Sequence, residues 1–120
     1  MPEQGGPLAG VRVLDFSELL PGPFLTQSLV ELGADVLKVE RPLHGDAARR
    51  MAPALFEAVN RGKRCLRADL KHAEQRAQML KLAHEADVLV ESYRPGVIDR
   101  LGLGFDVLRK ANPWLIHPAP

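Results

Sequence analysis

The 120-residue chain has one cysteine, almost no net charge, no long apolar run and no cluster of histidines, and each shortage closes off a class of function. Cys65 alone cannot form an internal disulfide, and its place in an apolar-alternating strand marks it as a buried small hydrophobe rather than a nucleophile. Sixteen Lys and Arg against fifteen Asp and Glu leave a formal charge of +1. No global basic field therefore points to nucleic acid, and any anion site is local. No stretch approaches the roughly 18 apolar residues of a membrane span, and MPEQGG places no cationic region ahead of an apolar one, so a cytoplasmic protein is expected, with no membrane partner. His44, His72, His84 and His117 fall in different elements, so no metal site is expected.

What is present is the composition of one ordinary globular domain, 46% hydrophobic and 26% charged. Val11 to Phe16 reads as a buried strand after Gly10. Beyond Pro21-Gly22-Pro23, Leu25, Leu29 and Leu32 recur at helical spacing until Gly33 stops the helix. Asp35 to Glu40 makes a second strand. The connection through Pro42, Gly45, Asp46 and Arg49-Arg50 is irregular, and a short helix follows around Ala54 to Val59. A third strand, Arg64 to Leu70, mixes Cys65, Leu66 and Ala68 with Arg67 and Asp69 and so belongs nearer a sheet edge.

The helix Ala73 to Ala86 places Met79, Ala83 and Ala86 on one face. A fourth strand spans Val88 to Glu91, Pro95 and Gly102 bracket a helix, and another runs from Phe105 to Ala111. Trp114 to His117 begins a fifth apolar strand, ended by Pro118-Ala119-Pro120. Strands separated by helical crossovers imply an α/β fold with a mainly parallel sheet and right-handed connections, although strand order is not readable from this pattern.

Polar residues follow every strand. Glu40 and Arg41 stand at the end of the second, in GADVLKVERP, where an open α/β sheet holds a phosphate or ribose. Ser17 and Glu18 follow the first, Lys71 the third, and Ser92, Tyr93 and Arg94 the fourth. Three cations, an aromatic platform and the backbone donors of helix starts suit a ligand with several phosphates and a purine ring. A nicotinamide dinucleotide is the competitor, because Glu40 lies eighteen positions after Gly22. The glycine fingerprint is missing, however, and the prolines at that turn remove amides that would bind pyrophosphate.

PLAGVRVLDFSELLPGPFLTQ, LGADVLKVERP, NRGKRCLRADLK, ADVLVESYRPGVIDRLGLG and NPWLI occur in that order, from about Pro7 to Ile116. In this set the chain resembles the N-terminal part of family III CoA-transferases, which include formyl-CoA transferases, carnitine CoA-transferases and the related α-methylacyl-CoA racemases. The resemblance implies a Rossmann-like large domain, incomplete here, and in the full-length family a small domain and a homodimer of interlocked chains.

It also implies transfer of CoA between an acyl-CoA and a carboxylic acid, with CoA as substrate and no cofactor. Leu20 and Pro21 would border the CoA and Arg41 would meet its adenosine phosphate end. Ala68 to Lys71 would line the nucleotide, Ser92, Tyr93 and Arg94 would continue that wall, and Arg100 would add a phosphate contact. The family's aspartate nucleophile, and the histidine and aspartate of the racemases, lie beyond the equivalent of Pro120. The 120 residues are therefore expected to hold the CoA-binding part and no catalytic residue. A racemase portion and a non-catalytic CoA-binding module are the alternatives. Unpaired sheet edges and uncovered apolar faces lead one to expect aggregation or swapped dimers of the isolated chain.

Overall fold

The computed structural model describes residues 5–117. Its elements in chain order are β1 (Arg12–Asp15), α1 (Pro21–Glu31), β2 (Asp35–Glu40), α2 (Ala48–Met51), α3 (Pro53–Asn60), β3 (Arg64–Arg67), α4 (Ala73–Glu85), β4 (Val88–Val90), α5 (Val97–Arg100) and α6 (Phe105–Ala111). The four strands form one parallel sheet in the order β3-β2-β1-β4. In the central register Leu14 lies between Leu37 and Leu89.

Side chains alternate between the two faces of a strand, and here both faces are covered. Leu14, Val39 and Leu89 join Met79, Ala83 and Leu108 in the larger core, beneath α4 and α6. The opposite face carries Val13, Val36 and Val90, packed by Leu29 and Val30 of α1. Further along the same parity come Asp15, Lys38 and Glu40, all buried. That face is thus apolar at the amino ends of the strands and ionic at the carboxyl ends, an arrangement with direct consequences for α1. Thr26 and Pro23 face inward, while Leu25 and Leu32 of the leucine series remain 41% and 44% exposed. Thr26 Oγ1 donates to Asp15 Oδ2 at 2.6 Å, which an apolar side chain could not do.

Three further expectations are revised. Cys65 is exposed rather than buried, because every residue of the edge strand β3 is exposed. The Arg49-Arg50 connection contains a helical turn, α2, whose Ala48 N–H donates to Asp46 Oδ1 at 2.9 Å. The fifth strand reduces to a single parallel bridge between Val88 and Ile116, with Leu115 buried and Trp114 88% exposed; Pro118-Ala119-Pro120 lie outside the described residues. The third strand stops at Arg67 rather than Leu70, and the first and fourth are shorter by one or two residues, whereas Asp35–Glu40 holds residue for residue and Met79, Ala83 and Ala86 are buried. Asn112 closes α4 by donating from Nδ2 to the carbonyls of Ala83, His84 and Ala86 at 3.3, 3.1 and 2.7 Å. None of the described helices is long and apolar enough to cross a membrane.

Candidate functional site

Strand order reverses direction between β1 and β4, and in an open parallel sheet the loops leaving the carboxyl ends on either side of such a reversal part to form a crevice. The two loops here are Ser17–Leu20 and Ser92–Gly96, and they are tied where they part, since Glu18 N–H donates to Ser92 Oγ at 3.0 Å. A cleft of about 340 Å³ opens there between Glu18, Leu19, Pro21, Arg41, Ser92 and Tyr93. Beside it, a larger one of about 580 Å³ is floored by Val39, Ala68, Leu70 and Leu101 and bordered by Lys71. Arg41 and Tyr93 line both. Another cavity, of about 220 Å³, lies at the amino ends of the strands, but its charges are spent on one another, Arg12 on Glu85 at 3.4 Å and Arg64 on Asp35 at 3.0 Å.

The sheet therefore brings Pro21, Arg41, Ala68, Lys71, Ser92 and Tyr93 to one rim. Leu20 stands at the start of α1, 45% exposed and outside both linings. Arg94 and Arg100 are exposed nearby and also outside them; an Arg100 guanidinium nitrogen approaches Gly96. Of the other residues read as rim groups, Ser17 is sealed away, and Glu40 lines the larger cleft but has its carboxylate committed elsewhere. Ser17 is fully buried, with both its N–H and its hydroxyl donating to Asp15 Oδ1. Glu40 is 2% exposed and grips Arg49 through both carboxylate oxygens, at 2.8 and 2.7 Å, while also accepting the Asp46 N–H at 2.7 Å. Burial alone would raise the Glu40 pKa, but the hydrogen bonds and charge of Arg49 outweigh it and hold the carboxyl down at about 2.

The expected helix-start donors are also largely missing at α1. Pro21 and Pro23 have no N–H, and the amides of Glu18 and Leu19 are already given to Ser92 and Asp46.

What the sequence reading missed is the buried ionic layer supporting this rim. Lys38 Nζ, with its side chain wholly enclosed, bonds Asp46 Oδ2 at 2.9 Å and the Ser17 carbonyl at 2.9 Å. Lys63 Nζ reaches Asp15 Oδ2 at 3.3 Å, the Pro23 carbonyl at 3.1 Å and Asn60 Oδ1 at 2.8 Å. Burial, with Lys38 as a second cation nearby, brings the Lys63 amine down to about 8 in spite of Asp15. Together with the Ser92 hydroxyl, these groups hold the Ser17–Leu19 turn at four backbone atoms, and Leu19 sits there at φ 71°, a left-handed conformation that costs a non-glycine residue of order 1 kcal/mol or more. Strain retained by so many constraints fixes where Glu18 and the start of α1 lie. A signal for the layer did exist: Asp15 and Lys38 share strand parity with the core residues Val13 and Val36.

Electrostatically the rim is mixed. Arg41 Nε and Nη2 bond the two oxygens of Glu18 at 2.8 and 2.9 Å. Burial, followed by the carboxylates of Glu18 and Glu91, pushes the Tyr93 phenol up to about 12, so it remains a neutral donor with its ring against the core. At the far edge, partial desolvation and Glu40 push the Cys65 thiol up, away from nucleophilic character. The rim can thus bind and orient an anion through Arg41 and Lys71 and offers a ring surface at Tyr93.

Residues 8–119 match the profile of CoA-transferase family III. The chain belongs to that family. It is 47% identical to the probable fatty acyl-CoA transferase Rv3272 of Mycobacterium tuberculosis, over 92% of this chain and 30% of that protein. With the acetyl-CoA:oxalate CoA-transferase of Acetobacter aceti it shares 44% identity, over 93% of this chain and 30% of that protein. A crystal structure of a mutant of Rv3272 superposes with a TM-score of 0.90 at 47% identity, covering 94% of this chain and 32% of that one. This family III chain spans about 30% of the length of the curated relatives it matches.

Proposed function

We propose that this family III chain supplies the CoA-binding, N-terminal part of the large domain of a cytoplasmic enzyme that moves CoA between an acyl-CoA and a carboxylic acid, working as a homodimer. The observation that carries this reading is the double cleft at the strand ends, where Arg41 and Tyr93 are shared by two cavities floored with small and apolar side chains. Ala68, buried and short, leaves a flat ring room against the floor, and Lys71 at the border supplies a point charge for phosphate. Pro21, Ser92 and Tyr93 wall the smaller cleft. Leu20 borders its mouth, and Arg94 and Arg100 add positive field outside it. CoA enters as a substrate, and these residues bind and orient it. The acyl-transferring carboxylate is not among them.

Thermal unfolding of the purified chain with excess CoA, with NAD as control, tests the reading. A ligand at about 100 times its dissociation constant adds about 2.7 kcal/mol, which for a domain of this size raises Tm by roughly 10 °C. A shift with CoA and none with NAD is expected; equal curves with and without CoA would sink it.

A further inference from the structure

Arg41 is the one cation common to both clefts and to the shallow depression beyond them, yet its fork is already gripped by Glu18. That carboxylate is not a loosely solvated partner. Its side chain is only 18% exposed against 61% for Arg41, its own N–H is held by Ser92, and the next residue is locked at φ 71° with its N–H on Asp46. The turn thus delivers a preplaced anion to the spot where a ligand anion would dock.

Resting on the CoA reading above, we propose that Glu18 is an internal counter-anion that occupies Arg41 until a ligand phosphate displaces it, so that Glu18 sets how tightly the rim holds that phosphate. The chemistry follows from exchange. A ligand carboxylate that replaces Glu18 trades one monoanion for another and gains nothing on Arg41. A phosphomonoester carries close to two charges and three acceptor oxygens, so it outbids the carboxylate and also uses donors of the guanidinium that Glu18 leaves free. The rim therefore selects ligands bearing a terminal phosphate.

The test is titration calorimetry of the full chain with CoA and with dephospho-CoA, at low ionic strength, for the unaltered protein, Glu18→Gln, Arg41→Ala and the double variant. Glutamine keeps the size of Glu18 and removes its charge, and because Arg41 is itself largely in solvent, losing the pair costs the fold little. Glu18→Gln is expected to bind CoA about threefold to fivefold more tightly, because its phosphate no longer has to displace a carboxylate, and to bind dephospho-CoA, which has no terminal phosphate to place on Arg41, with little change, so that the preference for CoA widens; added salt shrinks the gain. In the Arg41→Ala background, Glu18→Gln is expected to change neither affinity. If the unaltered protein binds CoA and Glu18→Gln binds it equally or less well, the counter-anion role is refuted while the CoA reading stands. Equal gains in both backgrounds would also refute it, since Glu18 would then act without Arg41. No CoA binding by any of the four proteins overturns the CoA reading, and this proposal with it.

Discussion

Replacing Asp46 by asparagine removes the only carboxylate bonded to Lys38 among the described residues and leaves an enclosed ammonium without its counter-charge. The pair is fully buried, with Nζ 2.9 Å from Oδ2. Breaking a buried pair from one side costs about 3–5 kcal/mol. A loss of about 4 kcal/mol is a large part of the 5–15 kcal/mol that holds an ordinary domain together.

The assay is urea unfolding at pH 7 of Asp46→Asn, Lys38→Met and the double variant. Asparagine retains an oxygen for the N–H groups of Leu19 and Ala48, now on Asp46 Oδ1 at 3.2 and 2.9 Å. The double variant therefore buries no charge and is expected to lose less than half of what Asp46→Asn loses. A single-variant cost below about 1 kcal/mol, or a double variant showing the sum of the two single losses, would refute the idea that this pair is a desolvated ionic unit.

Three other outcomes follow from the same rim and the groups beneath it. Glu40 titrates at about 2 when folded against 4.5 ordinarily. Its contribution is complete above pH 4.5 and disappears as pH falls toward 2; about 3 kcal/mol should be lost across that window, and Glu40→Gln should flatten the acid limb of a stability profile. Tyr93, the sole tyrosine, should show its phenolate absorbance with a midpoint near 12, moving toward 10 in Glu18→Gln; because the folded value is raised, it costs stability as pH climbs from 10 to 12, and a midpoint at 10 would contradict its burial. In Gly22→Ala the new methyl would run into the Ser17 side chain, so an overpacking loss of about 1–3 kcal/mol in urea is expected, and an unchanged midpoint would mean that α1 is free to shift.

Legibility in the chain followed the range of the interaction. The strand Asp35–Glu40 was readable to the residue because alternation and the flanking Gly33 and Pro42 are local. The mixed composition of Arg64 to Leu70 announces an edge strand, and β3, which covers Arg64–Arg67 of it, is one. The same argument exposes Cys65, against its alternation with apolar neighbours, because an edge strand with no helix over it hides neither of its faces. The leucine series of α1 misled for a different reason, since α1 covers the ionic half of its sheet face and turns Thr26 toward it.

The sequence by itself determined the alternation of strands and helices, the α/β class, the family and the presence of polar residues after each strand, because propensity, turn chemistry and motif order act over a few residues at a time. Which of those polar residues face a ligand was decided only in three dimensions. Glu40 and Arg41 are neighbours in the chain, yet one is sealed onto Arg49 and the other reaches the rim. Arg41 meets Glu18 across 23 positions and Lys63 meets Asp15 across 48. Such partners are set by the order β3-β2-β1-β4, and charge pairing depends on distance and burial in the folded sheet, quantities that no local pattern encodes.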